Sequence, residues 1–182
     1  MTSDQPLANR VTRIVSAFGA PILGLILALT AGTSAAGNEK AKSAAAFEKL
    51  ISLVGEWEGT NASGSVKATY TLVSGGTALM ERLQPGNEPD MITLYSLDGD
   101  HLLITHYCSG GNQPSMRTGP IMELNGTLSF KVFQVTGMKT ADEAHMTGLV
   151  LTMPDKDHLT QEWTYQGKGK AQSNVFRFTR KS

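Results

Sequence analysis

His106 and Cys108 are the residues of this chain whose types and spacing are best suited to chemistry. They lie two positions apart in a largely apolar segment, and on a β-strand such a pair leaves the same face. A histidine beside a thiol can lower the thiol pKa and create a nucleophile, and the pair also offers two ligands to a soft metal ion. A third metal ligand would have to come from elsewhere. The simpler alternative is a small core cysteine beside a hydrogen-bonded wall histidine.

Four further residues complete a predicted set of ligand contacts. Gln113 follows in the adjoining loop, beside Asn112, and can supply a polar contact. Glu81 stands among apolar residues; facing inward, it would need a partner such as Arg177 or Arg117, because a lone buried charge is costly. Its alternative is a solvated strand face. Tyr70 and Trp163 suit an adaptable pocket, although core packing explains them equally well. The predicted contacts are His106, Cys108, Gln113, Glu81, Tyr70 and Trp163.

No residue is assigned to catalysis or to a metal site, and the cofactor is left unknown. His145 and His158 begin two consecutive predicted strands at opposite ends of one hairpin, too far apart to share a metal ion. Haem would need one inward histidine, and nothing in the sequence singles one out. The chain carries no phosphate loop, nucleophile elbow or zinc-protease motif. Enzymatic activity is therefore left open and is not favoured.

These residues must be positioned by a series of short strands. After Gly55, apolar segments alternate with turn residues, and Asn125-Gly126 is the strongest hairpin signal among them. Short turns make sequential antiparallel neighbours. The sequence thus predicts an all-β fold, an antiparallel up-and-down barrel of about ten strands, with a β-sandwich as the alternative. The predicted strands are residues 56–61, 66–73, 79–84, 91–97, 101–108, 117–124, 127–135, 145–153, 158–166 and 174–180.

One short amphipathic helix precedes the strands. Phe47, Leu50, Ile51 and Val54 recur at helical spacing, so they form one apolar stripe. Ser43 is predicted to cap the start of this helix, and Gly55 follows its end.

Residues 1–36 read as a secretory signal peptide. Arg10 and Arg13 precede an apolar segment over residues 14–29, and Ser34-Ala35-Ala36 fits the small-residue cleavage pattern, which places the cut before Gly37. An uncleaved membrane anchor is the alternative, because the apolar segment approaches the length of a span. The remaining chain is predicted as a polar linker over residues 37–43 and a barrel domain over residues 44–182, exported to the periplasm or secreted.

Charge and cysteine content exclude several classes of partner. The chain has 182 residues with 16 basic and 16 acidic side chains; residues 37–182 hold 14 and 15 of these, a net charge of −1. Nucleic acid is therefore not an expected partner, since phosphate binding needs a basic surface. A membrane is expected only through an uncleaved leader. The single cysteine excludes a disulfide within the chain and a cysteine-based zinc site.

The segment Gly55-Glu56-Trp57-Glu58-Gly59 resembles the Gly-x-Trp start of the first strand in lipocalin-like (calycin) barrels. The resemblance implies that Trp57 closes one end of the barrel beneath an arginine of the last strand, Arg177 or Arg180; we predict Arg177. The glycine-flanked tryptophan is also similar, distantly, to nitrobindin-like haem barrels, and Thr105-His106-Tyr107-Cys108 resembles a block in exported, uncharacterised bacterial lipocalin-like proteins. The resemblance implies a small, largely apolar ligand inside the barrel. An enzyme using His106 and Cys108, and a structural or partner-binding exported domain, are the alternatives.

Overall fold

Ten antiparallel strands close into a barrel in a computed structural model that describes residues 31–182 apart from 87, 122, 123 and 168, with side chains from Gly37 onward. Each strand pairs with its neighbours in chain order, and the first pairs with the last. The predicted up-and-down barrel is therefore confirmed, and the sandwich is excluded. The strands are β1 (Gly55–Asn61), β2 (Gly64–Val73), β3 (Ala78–Pro85), β4 (Met91–Asp98), β5 (His101–Tyr107), β6 (Gln113–Thr118), β7 (Thr127–Thr136), β8 (His145–Thr152), β9 (His158–Gly167) and β10 (Lys170–Arg180).

The predicted sixth strand was wrong in position. The sequence assigned it to residues 117–124, whereas β6 spans Gln113–Thr118. Gly119 and Pro120 follow directly, and Pro120 has no N–H to offer a strand ladder. The last strand also begins earlier than predicted, at Lys170, because its polar start pairs with the end of β9.

The helix that precedes the barrel, α1 (Ala31–Ile51), is longer than predicted. Residues 37–43, predicted as a linker, belong to it. Ser43 is not its N-terminal cap but a buried residue within it. The Ser43 hydroxyl lies 2.9 Å from the carbonyl oxygen of Lys40 and 3.0 Å from that of Gly99 in the β4–β5 turn. A hydroxyl shared between these two acceptors ties the helix to the barrel.

Helix α1 covers one end of the barrel, which we call the lower end. Phe47, Leu50 and Leu53 belong to the same buried cluster as the inward residues of the strands. The opposite, upper end contains the β5–β6 turn and the β7–β8 loop. No helix among the described residues is long and apolar enough to cross a bilayer. Most of the predicted leader, residues 1–30, lies outside the described part of the chain.

Side chains fill the lower and middle parts of the barrel. Inward residues there have at most 1% of their surface accessible, and a cavity of molecular size would expose them. Within the described residues, the lower and middle interior therefore leaves no room for a ligand. The filling side chains include Trp57, Tyr70, Leu79, Tyr95, Leu102, Ile104, Met116, Phe130, Leu149 and Leu151.

Candidate functional site

A row of polar side chains crosses the inner wall of the barrel from β2 to β5. Tyr70 lies directly opposite Glu81, Glu81 opposite Thr93, and Thr93 opposite His106. Each of the four is at most 1% exposed. Since inward positions alternate along a strand, the antiparallel register alone brings these residues together. The row is the only continuous polar band that the described inner residues of these four strands form.

Glu81 is held by donors from three other strands. The Tyr95 hydroxyl donates to Glu81 Oε2 over 2.6 Å. The Gln161 amide donates one hydrogen to Glu81 Oε1 and the other to the Tyr70 hydroxyl oxygen, 2.6 Å away. Trp163 Nε1 in turn donates to Gln161 Oε1 over 2.9 Å. The amide of Gln161 thus bridges the row to the opposite wall with all of its atoms paired.

The predicted arginine partner of Glu81 was wrong. Glu81 does face inward, but hydroxyl and amide groups satisfy it, and it forms no ion pair with a cation in the described part of the chain. Burial raises the pKa of Glu81, while hydrogen bonds from Tyr95, Gln161, Tyr70 and Thr93 oppose that rise. Burial and the nearby carboxylate also raise the pKa of both tyrosines well above 10.0. Arg177 is exposed on the outer wall and cannot reach the carboxylate.

His106 ends the row with one nitrogen unpartnered. Its Nδ1 lies 2.9 Å from Thr93 Oγ1, and its ring packs on Trp163 with centroids 4.5 Å apart. The direction of this bond depends on the tautomer of the ring: in the Nδ1–H tautomer Thr93 accepts the bond, and Nε2 carries the lone pair. Nε2 is buried with no hydrogen-bond partner among the described residues. Burial lowers the pKa of His106 to about 4, so the ring is neutral at neutral pH.

The β5–β6 turn adds a second unpartnered acceptor above His106. The backbone N–H of Cys108 donates to the Asn112 carbonyl over 3.2 Å, which pairs the two residues across the turn. Asn112 Nδ2 donates to the Ala144 carbonyl over 2.9 Å, and this bond fixes the orientation of the amide. Asn112 Oδ1 is then buried without a donor among the described residues. Cys108, which directly follows β5, is partly buried against the core.

Five of the six predicted contacts therefore lie in or beside one interior network, and Gln113 does not. Its side chain turns outward, where Nε2 donates to the Gly111 carbonyl over 2.9 Å and Oε1 accepts from Thr136 over 3.2 Å. Sequence reasoning missed Thr93 and Gln161 as members of the network. Strand alternation was the available signal, since Gln161 shares its face with Trp163 and Thr93 with Tyr95.

The arginine that covers Trp57 at the lower end is Arg180, not the predicted Arg177. Its guanidinium lies 4.3 Å from the centroid of the indole and donates to the carbonyls of Val54 and Ser52 over 2.9 and 2.7 Å. Trp57 and Arg180 are directly paired across the β1–β10 seam. Arg177 pairs with Thr60 instead, so alternation turns it to the outer wall.

The closed meander, the covering helix and the arginine over the first-strand tryptophan fit a lipocalin-like barrel fold. No protein-family model matches the chain, and no curated protein matches it. Among solved structures, it is similar to a protein of unknown function from the DUF3598 family of Nostoc punctiforme, with a TM-score of 0.40 and 13% sequence identity. That match covers 72% of this chain and 49% of the Nostoc protein, so the chain spans about half the length of its neighbour.

Proposed function

We propose that this barrel binds a small, largely apolar ligand at its upper end, and that a hydroxyl or N–H group of the ligand donates to His106 Nε2. The observation that carries the proposal is the burial of that nitrogen without a hydrogen-bond partner among the described residues; the proposal takes His106 as the Nδ1–H tautomer, in which Nε2 is an acceptor. An unsatisfied buried acceptor costs about 1–3 kcal/mol, so a donor that reaches it recovers part of that energy.

The surroundings of His106 support an apolar ligand of modest size. The Trp163 ring packs against the imidazole, and Cys108 and Met146 are only partly buried against the core. Nε2 is buried, so a ligand can reach it only when a neighbouring side chain moves. A thioether and a small thiol are among the side chains that adapt most readily. Asn112 Oδ1 offers a second acceptor to a ligand that carries two donors.

Catalysis by His106 and Cys108 is not part of the proposal. A histidine activates a neighbouring thiol chiefly as a cation that stabilises the thiolate. Because burial lowers the pKa of His106 to about 4, its ring supplies no such charge at neutral pH. The same neutral ring is well suited to accept a hydrogen bond.

Phenol and anisole test the proposed site, because they share an aromatic ring and differ in one donor hydrogen. We expect phenol to shift the indole N–H signal of Trp163 in ¹H–¹⁵N spectra and to bind about tenfold more tightly than anisole, the value of one hydrogen bond of about 1.4 kcal/mol. The signal is assigned from Trp163→Phe.

Two variants weaken the preference by different routes. His106→Phe keeps a ring against Trp163 without an acceptor, and Thr93→Val frees the tautomer of His106. We expect His106→Phe to bind phenol and anisole with similar affinity and Thr93→Val to show a smaller preference, whereas His158→Phe, at the exposed start of β9, keeps the wild-type preference. Equal binding of the two probes by the wild type, or failure of both to bind, would refute the proposal.

Export and membership of the calycin superfamily belong to the same proposal. The leader supports export, and the buried helix residues that cover the barrel, from Ser43 onward, all follow the predicted cleavage position. The stack of Arg180 on Trp57 supports the lipocalin-like assignment. N-terminal sequencing of the protein from an extracytoplasmic fraction is expected to begin at Gly37. A chain that retains residues 1–36 in the membrane fraction would favour the anchor instead.

A further inference from the structure

Strands β7 and β8 part from each other halfway along the barrel wall. Their ladder runs from Thr127 opposite Thr152 to Lys131 opposite Gly148 and goes no further. Above that level β7 remains paired with β6, and β8 remains paired with β9. An irregularity in register lies on each side, at Ser115/Met116 and at Met146/Gly148. Such bulges bend and twist strands, which accounts for the divergence.

The divergence leaves a groove of about 420 Å³ on the wall. This volume falls within the range of about 300–1,000 Å³ that is usual for small-molecule pockets. Gly148 keeps the groove open because it has no side chain at the point where the strands part. The groove is mainly apolar with hydroxyl groups, and its lining comprises Ser129, Phe130, Lys131, Val132, Thr147, Gly148, Leu149, Val150 and Thr164.

Lys131 lines this groove, and a second cation, Arg117, stands beside Lys131 on the neighbouring strand β6. Arg117 and Lys131 are directly opposite on β6 and β7, and both are exposed on the outer wall. Like charges in this position repel each other, and neither residue forms an ion pair within the described part of the chain. The Arg117 guanidinium lies 5.4 Å from the centroid of Phe133, a ring that is 51% exposed. An anion placed between the two cations would relieve their repulsion.

We infer that the groove between β7 and β8 binds an apolar carboxylate. The carboxylate lies against Lys131 and Arg117, and the hydrocarbon tail lies along Val132, Gly148 and Val150. Charge complementarity selects the anionic head, and the apolar lining selects the tail. This site is separate from the interior site at His106 and does not depend on it.

Decanoate and 1-decanol, followed by ¹H–¹⁵N NMR titration, test the site. Decanoate is expected to shift the signals of Gly148 and Thr164 and to bind less tightly as salt screens the two cations. Lys131→Gln and Arg117→Gln are each expected to weaken the binding of decanoate about two- to fivefold, the range for an exposed charge pair. Neither changes the affinity for 1-decanol. The control Lys67→Gln, on the outer wall of β2, changes the affinity for neither ligand.

Two further variants distinguish binding in the β7–β8 groove from binding at the interior His106 site. Thr164→Phe fills the groove and is expected to weaken both ligands at least tenfold, whereas Thr160→Phe, on the same face of β9 but outside the groove, does not. His106→Phe leaves decanoate binding within twofold of the wild type. The inference is overturned if decanoate shifts no groove signal, if Lys131→Gln leaves its affinity unchanged, or if His106→Phe abolishes its binding.

Discussion

Replacing His106 by phenylalanine should change how the stability of the barrel depends on pH. Burial lowers the pKa of His106 from 6.5 to about 4. Between these two pH values the His106 ring is therefore protonated in the unfolded chain but neutral in the folded barrel. The contribution of His106 to stability is thus fully present above pH 6.5 and is lost as the pH falls towards 4. From these two pKa values the loss is about 2 kcal/mol at pH 5 and about 3 kcal/mol at pH 4.

Urea unfolding of the wild type and of His106→Phe, followed by tryptophan fluorescence between pH 4 and 7.5, measures this contribution. Subtracting the two free energies of unfolding cancels the other three histidines, which both proteins keep. The size of this difference at neutral pH reflects the lost bond to Thr93 and the changed packing. Only its change with pH reflects the protonation of His106. A difference between wild type and His106→Phe that stays constant from pH 7 to pH 4 would refute the buried neutral histidine.

Three further substitutions address the rest of the framework. Arg180→Gln should lower the free energy of unfolding by about 2–3 kcal/mol in urea titrations, since it removes a cation–π contact and hydrogen bonds to backbone carbonyls. The control Arg177→Gln should have a free energy of unfolding within about 0.5 kcal/mol of the wild type. Gly59→Ala should prevent the β1–β10 seam from closing, because the added Cβ would lie 2.0 Å from the Arg177 carbonyl oxygen. In thermal unfolding, this variant should lose the cooperative transition, whereas the control Gly37→Ala should keep it. Glu81→Gln should gain stability relative to the wild type as the pH rises from 5 to 8. Burial raises the pKa of the Glu81 carboxyl, so the wild type loses the stabilising proton as the pH rises, whereas the amide does not titrate. An opposite trend in urea unfolding would show that the hydrogen-bond donors outweigh burial.

The architecture was accessible from the sequence because its signals are local. Turn residues such as Asn125-Gly126 separate segments of strand length, and short turns leave little topological choice. The predictions fail where a local signal is ambiguous. Gln113 was predicted in a loop but begins β6, and Ser43 was predicted as a helix cap but is buried within α1 against the β4–β5 turn. In both cases a contact distant in sequence decided the outcome.

The candidate site was accessible only in part, because it depends on register. Inward alternation identified His106 and Trp163 as residues of the wall, but no local pattern shows that Thr93 lies opposite both Glu81 and His106. The prediction of Arg177 in place of Arg180 was wrong for the same reason. A shift of one residue in the β1–β10 pairing would exchange the inward and outward sets of β10, and the sequence does not fix that shift.

The order of hydrogen bonds along the polar row links the acid at the centre of the barrel to the chemistry of its upper end. Tyr95 and Gln161 donate to Glu81, and the hydrogen bonds that lower its pKa also include Tyr70 and Thr93. A hydroxyl has one proton, so a Thr93 that donates to Glu81 accepts from His106 Nδ1, and Nε2 is left as an acceptor. A cation near Glu81 would make this arrangement unnecessary, because it could satisfy the carboxylate directly. The absence of a cation among the described groups that act on Glu81 therefore has a consequence two strands along the row, at His106: the proposed ligand is expected to supply a donor, not an acceptor.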